Sequence, residues 1–235
     1  MKFLHRAINF LWEFPCPLCD CDNRRGGMFN TFCVDCLEKL PLFHGVRCPG
    51  CGGELDGIFD QCSQCLKMPK RPWNNAMSLM KMEDLGEKAV YALKFSGVTA
   101  IARAAAELAI PLLAHPDFSQ CDMIVPVPLH WQRQMQRSYN QSELLAKMLA
   151  RGMKKPCKTP VKRIRPTLRQ ATLSREERLK NLKGAFSVPE PATVANKKIL
   201  LVDDVLTTGA TLHACAEALL QAGAASVSVF TVARR

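Results

Sequence analysis

The stretch Ile199-Leu200-Leu201-Val202-Asp203-Asp204-Val205-Leu206-Thr207-Thr208-Gly209-Ala210-Thr211 constrains the chain more than any other. A run of branched apolar residues passes into two adjacent carboxylates and then into small hydroxylic residues around a glycine, before helix-forming sequence from Leu212. That order predicts strand, turn and helix. A strand without polar alternation is buried on both faces, as at the centre of a parallel α/β sheet. Ligands of such sheets sit beyond the carboxyl ends of the strands, where Asp203 and Asp204 would accept hydrogen bonds from vicinal hydroxyls. The following loop suits a phosphate, because free backbone amides, a helix N-terminus and the hydroxyls of Thr207, Thr208 and Thr211 converge on an anion. At Gly209 no Cβ holds the backbone away from it. A diol beside a phosphate describes a ribose 5-phosphate.

The thirteen-residue pattern resembles the binding signature for phosphoribosyl pyrophosphate in type I phosphoribosyltransferases, and every position is acceptable to it. The competing reading is a buried strand capped by two solvated carboxylates.

Cysteine usage sets the second constraint. Of twelve cysteines, eight form four C-x-x-C pairs: Cys16/Cys19, Cys33/Cys36, Cys48/Cys51 and Cys62/Cys65. They make two blocks of four sulfurs, the complement of a tetrahedral structural Zn²⁺ site. Gly50, Gly52 and Gly53 suit the knuckle turns, and a segment so poor in large apolar residues needs metal to fold. A redox dithiol or an iron–sulfur cluster is the alternative. Consecutive blocks are paired here, although a cross-braced arrangement uses the same residues; Cys21 falls outside the spacing. Lys2 to Trp12 reads as an amphipathic helix whose His5, Arg6 and Asn9 interrupt any signal-peptide core. Reduced, metal-bound thiolates without an export signal place the chain in the cytoplasm, and no apolar run approaches the ~18 residues of a membrane span.

At 235 residues with 48% apolar content, the chain has room for one α/β domain plus a small module. Pro69-Lys70-Arg71-Pro72 reads as a linker, which divides residues 1–70, the N-terminal helix and double zinc ribbon, from residues 73–235. In the second part a strand is expected over Ala76 to Met82, helices over Gly86 to Phe95, Val98 to Ala114 and Ser142 to Arg151, and further strands at Asp122 to His130, Val161 to Arg165 and Ala185 to Val188. Met77, Met80 and Met82 are core filler. Prolines at 126 and 128 stop the second strand, so a rigid loop begins at its carboxyl end. Ser174 with Glu177 forms a capping box that brings Arg175, Arg178 and Asn181 towards one helix face. The formal charge is +11, and residues 131–185 carry 15 Lys+Arg against 3 Asp+Glu, so the basic excess is one local feature. Two Zn(Cys)₄ sites would lower the net charge to about +7 without touching that segment.

The zinc-ribbon cysteines, Ala92-Leu93-Lys94-Phe95, Val125-Pro126-Val127-Pro128-Leu129, Arg137-x-x-Asn140-Gln141, Arg165 through Gln170, Arg178-x-x-Asn181-x-x-Gly184-x-Phe186 and the Asp-Asp loop together resemble the ComF/GntX family, over nearly the whole chain and in the expected order. Ser138 stands where that family usually has glycine. The resemblance implies a type I phosphoribosyltransferase-like parallel sheet behind a small N-terminal zinc-ribbon module, and an association with natural competence and the use of external DNA. It implies that Asp203 and Asp204 hold the ribose diol and Thr207 to Thr211, with Gly209 and Ala210, the 5′-phosphate. Pro126, Val127 and Pro128, with residues on to His130 and nearby arginines, would hold the pyrophosphate, with Mg²⁺ bridging. Thr207 stands where purine-salvage enzymes of this fold place an aspartate for the base, so no acceptor is named. Two readings follow. One is single-stranded DNA handling during uptake or recombination, beside proteins of those processes, with Trp131, Tyr139 and Phe186 as stacking faces. The other is an active transferase acting on a nucleobase or amine; a purely regulatory binder of phosphoribosyl pyrophosphate is a third.

Overall fold

The computed structural model describes residues 15–21, 31–55, 59–95, 99–129, 139–165, 177 and 181–235. The expected N-terminal helix, His130, Trp131, Arg133, Arg137, Ser138, the 166–170 segment, Ser174, Arg175 and Arg178 lie outside them. In chain order the described elements are α1 (Val34–Glu38), α2 (Ser63–Leu66), β1 (Ala76–Lys81), α3 (Asp84–Phe95), α4 (Ala100–Leu112), α5 (Pro116–Ser119), β2 (Met123–Pro126), α6 (Gln141–Met153), β3 (Lys162–Arg163), β4 (Phe186–Ser187), β5 (Lys198–Leu206), α7 (Ala210–Gln221) and β6 (Ser226–Arg234).

Four strands form one sheet in the order β1-β6-β5-β2, and all three pairings are parallel. The continuous apolar run Ile199–Val202 of β5 produces this, and β6, although it carries Ser228 and Thr231, is likewise buried on both faces. Successive side chains separate into two layers. Leu200, Val202, Phe230 and Val232 pack with α3, α4 and α6, while Ile199, Leu201, Val227 and Val229 pack with α7. Met77 and Met80 are buried as expected of core filler. The strands expected around residues 161–165 and 185–188 contract to a two-residue antiparallel pair, β3 and β4, outside the main sheet. Among the described residues no helix is long and apolar enough to cross a membrane.

The cysteine-bearing segments are built onto the open side of β1. Leu42 bridges Met80, Phe43 N–H donates to Leu79 O at 3.0 Å, Lys81 N–H donates to Pro41 O at 2.9 Å, and Ser78 N–H donates to Gly52 O at 3.1 Å. Ser78 Oγ, fully buried, bonds to Cys51 O at 2.9 Å and lies 2.8 Å from Thr231 Oγ1. An edge that would otherwise present unpaired amides is thereby covered. The knuckle glycine makes the close approach possible. Gly52 has φ +69°, and a Cβ there would stand 2.3 Å from Ser78 N.

Gly52→Ala combines left-handed strain with a backbone clash, so it should cost about 1–3 kcal/mol and lower the thermal midpoint by several degrees. A midpoint equal to that of the parent chain would show that this edge does not carry the contact.

Candidate sugar-phosphate site and cysteine tetrads

β5 does not stop at Val202, where the acids were expected to begin a loop; it continues through both to Leu206. β6 explains the difference, because it keeps pairing through Asp203↔Thr231, Val205↔Ala233 and Leu206↔Arg234. On the other side β2 ends at the pair Pro126↔Val202, with one further bond from Val127 N–H to Val202 O at 2.9 Å. The acids therefore lie where β5 loses one neighbour, at the carboxyl end of the sheet. Prolines 126 and 128 end that ladder, as residues without an N–H must.

Adjacent strand residues face opposite ways, and the two acids have separate partners. Ser142 Oγ donates to Asp203 Oδ1 at 2.8 Å, and Asp204 N–H donates to the same oxygen at 2.9 Å. Lys94 Nζ stands 3.3 Å from Asp204 Oδ2. Burial first, and the neighbouring Asp204 carboxylate second, raise the Asp203 carboxyl to about 7. These partners are themselves held. Tyr139 O–H donates to Leu93 O and Gln141 Nε2 donates to Lys94 O at 3.4 Å, fixing the end of α3 against the start of α6. Asn140 caps α6 by accepting from Ser142 N–H at 3.0 Å, and its Nδ2 donates to Val127 O at 3.1 Å, which ties the 126–129 loop to the same helix end.

Lys94 and Ser142 were not expected at the acids. Lys94 stood in the Ala92-Leu93-Lys94-Phe95 element without a role, and only its place at the last turn of α3 brings it to Asp204.

The Thr207–Thr211 loop follows β5 directly. Gly209 has φ +76° as the N-cap of α7, and Ala210 N–H bonds to Thr208 Oγ1 at 3.3 Å. Arg71 also contacts this loop: its Nη1 donates to Thr208 O at 3.0 Å. The segment read as a linker is thus pinned at Arg71.

The eight paired cysteines fall into two groups, Cys16/Cys19/Cys33/Cys36 and Cys48/Cys51/Cys62/Cys65, with sulfurs within 4.8 Å of one another in each. A tetrahedral ion with metal–sulfur bonds of about 2.3 Å needs sulfur–sulfur edges of about 3.8 Å. Cys19 and Cys33 stand 3.7 Å apart, as do Cys51 and Cys62, so both groups can hold a metal ion. The thiols alone are in conflict. Hydrogen bonds from Cys51 and then Cys65 push the Cys48 thiol down, and the bond with Cys48 pushes Cys51 up; burial, then contact with Cys19, pushes Cys36 up. A dication resolves this by stabilising all four thiolates together. Cys21, outside the spacing, lies 3.2 Å from Cys19.

Lys147, Arg151, Lys154, Lys158, Lys162, Arg165 and Lys183 are exposed, so the basic surface exists in the folded chain. Of the expected stacking faces, Phe186 and Tyr139 are engaged within the fold, and Trp131 lies outside the described residues. Phe186 is 6% exposed and lies under Arg163, whose Cζ is 5.5 Å from the ring. Tyr139 is taken up by Leu93.

A family model for the phosphoribosyl transferase domain matches residues 140–235, which include α6, the acid pair, the threonine loop and β6. Competence protein F of Haemophilus influenzae is 32% identical over 238 residues, covering 97% of this chain and 99% of that protein. The DNA utilization protein YhgH of Escherichia coli is 34% identical over 194 residues, covering 80% and 83%. Competence protein ComFC of Bacillus subtilis is 30% identical over 208 residues, covering 86% and 83%.

The raised Asp203 carboxyl makes stability depend on pH. The folded state keeps this proton up to about 7 while the unfolded chain releases it near 3.8. Its contribution is therefore complete below the lower value and is lost as pH rises through the upper one. Asp203→Asn should be about 1–3 kcal/mol more stable than the parent at about pH 8 and near parity at about pH 4, measured by denaturant unfolding. A parent chain that gains on the variant as pH rises would contradict the assigned burial.

Proposed function

This chain belongs to the ComF/GntX family of competence and DNA-utilization proteins, and on that premise we propose that it handles single-stranded DNA in DNA uptake or the use of external DNA, through a sugar-phosphate site on a phosphoribosyltransferase-like sheet. The observation that carries the reading is the acid pair at the carboxyl end of β5, followed at once by the threonine–glycine loop at the N-terminus of α7. Asp203 and Asp204 accept the vicinal hydroxyls of a free ribose phosphate such as phosphoribosyl pyrophosphate, a diol that DNA lacks, while the DNA strand's phosphates fall to the basic surface. Thr207, Thr208, Gly209, Ala210 and Thr211 take its 5′-phosphate on hydroxyls and backbone amides. Pro126, Val127 and Pro128 frame the pyrophosphate side, and Mg²⁺, when bound, would neutralise part of the pyrophosphate charge. Lys94 beside Asp204 keeps a cation at the edge of this site.

The second reading, an active transferase, uses the same groups. As the anomeric carbon gains positive charge and its bond to the pyrophosphate oxygen breaks, the acids stabilise the sugar through its hydroxyls, and an acceptor nitrogen forms the new bond. The exposed basic residues from Lys147 to Lys183 favour the nucleic-acid reading, because they extend well beyond what one pyrophosphate engages. With Phe186 and Tyr139 turned inward, this surface holds DNA by its phosphates.

Residues 1–70 form the metal module and residues 73–235 the phosphoribosyltransferase-like part in this reading. Zn²⁺ is the ion of both tetrads, since four thiolates in tetrahedral array suit it best. A cytoplasmic location goes with this reading, since thiolates kept for metal need a reducing compartment, and DNA-uptake and recombination proteins would be its company there.

Elemental analysis of gently purified protein should find two zinc ions per chain, and stripping them should unfold the module, since such sites contribute ~10–16 kcal/mol each. Fewer than one zinc per chain would remove the metal assignment. For DNA, each phosphate neutralised on a single strand contributes a slope of about −0.7 in log affinity against log salt. Four to six contacts should give about −3 to −4, and charge reversal at Lys154, Lys155 and Lys158 should flatten the slope. A salt-independent affinity, or no single-strand binding at low salt, would favour the transferase reading.

A further inference from the structure

The second cysteine tetrad and the phosphate loop are joined by an unbroken set of contacts. Gly50 lies inside the Cys48–Cys51 knuckle, so close to the sulfurs that a Cβ there would stand 3.0 Å from Cys65 Sγ. Its carbonyl accepts from Trp73 Nε1 at 3.2 Å. Trp73 is 5% exposed and carries the Arg71 guanidinium on its ring, with Cζ 5.1 Å from the centroid. Arg71 donates through Nη1 to Thr208 O at 3.0 Å and through Nη2 to Met68 Sδ at 3.0 Å. A Cβ on Gly209 would meet Arg71 Nη1 at 2.6 Å, so the arginine lies flat on the loop. Gly50, Cys65, Met68, Arg71 and Trp73 also line a cleft of about 540 Å³ that opens beside Gln61, Lys70 and Asn74.

We propose that, given the sugar-phosphate reading of the 207–211 loop, Arg71 is its positioning residue and ties the loop's anion affinity to the metal state of the Cys48/Cys51/Cys62/Cys65 site. The peptide geometry gives the reason. In a trans peptide the carbonyl and the following N–H point in opposite directions, so anchoring Thr208 O on Arg71 turns the Gly209 N–H away from Arg71 and leaves it for the phosphate. The guanidinium adds positive charge on the near side of the same loop. Arg71 is in turn held by a stacking contact on Trp73, and Trp73 by the Gly50 carbonyl. The metal fixes the knuckle that contains Gly50. Loss of the ion releases Gly50, then the indole, then the guanidinium, and the loop loses the orientation of one donor. Among the described residues the first tetrad shows no such route: Cys16, Cys33 and Cys36 pack with the opposite core layer, which includes Leu40 and Met80.

Linkage makes this testable in both directions. If the ion at the second site strengthens ligand binding by some factor, the ligand must strengthen retention of the ion by the same factor. Zinc release to a chromogenic chelator is followed with and without phosphoribosyl pyrophosphate and Mg²⁺, beside calorimetric titration of the same ligand. The ligand should strengthen retention of one zinc roughly five- to tenfold and leave the other unchanged. The protected zinc should persist in Cys36→Ser, which disables the first site. Arg71→Met should weaken ligand binding by a similar factor and abolish the protection, with Arg71→Lys intermediate because it keeps the charge without the fork. In a Trp12→Phe/Trp131→Phe chain, the fluorescence of Trp73 should change both on ligand binding and on zinc removal. Binding by the parent with equal release of both ions, or with unchanged affinity in Arg71→Met, overturns the coupling and leaves the sugar-phosphate reading standing. Absence of binding by the parent overturns that reading, and the coupling with it.

Discussion

Two carboxylates on consecutive residues of a buried strand are an electrostatic liability, and much of this fold is arranged to meet it. Burial first, and the adjacent Asp204 carboxylate second, raise the Asp203 carboxyl to about 7. The structure answers with a hydroxyl at the start of α6 for one acid and an ammonium at the end of α3 for the other. Tyr139, Asn140 and Gln141 then lock those two helix ends to each other and to the loop after β2. Strain of this kind in an otherwise apolar sheet is a mark of a site rather than of a scaffold. A ligand that brings a diol and divalent cations supplies the compensation that Ser142 and Lys94 supply alone.

The cysteine module does two things for that site. It closes the exposed edge of β1 through residues 41–43 and Gly52, and it delivers Arg71 to the Thr207–Thr211 loop. Its eight crowded thiols fall into two groups that can each hold a metal ion. The two tetrads are not equivalent in position, since the first joins the core layer of α3, α4 and α6 and the second joins that of α7. Arg234 marks the same contact from the other direction, because its Nη2 reaches Gln64 Oε1 at 2.9 Å while its strand continues to pair with β5 at Leu206.

What could be read from the sequence was what local pattern encodes. The unalternating run at Ile199–Val202 points to a buried parallel strand and the C-x-x-C spacings to two sets of four sulfurs, but only the geometry shows that consecutive blocks pair. The end of β5 was misplaced because two aspartates read as a strand terminator, whereas the ladder ends only when β6 stops pairing. Arg71 was hidden for a different reason: its partner Thr208 is 137 residues away, and a proline-flanked cation gives no sign of a long-range contact. Phe186 looked like a stacking platform because aromatic burial leaves no trace in a two-residue strand. Lys94 was visible as part of a motif, but its role depends on which helix end faces the acids.

The most direct test of this account is calorimetric titration of phosphoribosyl pyrophosphate with Mg²⁺ into the zinc-loaded parent and into Asp203→Asn/Asp204→Asn. The pair stands where β5 has lost its β2 neighbour, so loss of charge leaves the core packing in place. The account predicts one ligand per parent chain, no measurable binding by the folded double variant, and an unchanged zinc content in both. Equal affinity in the two proteins would contradict it.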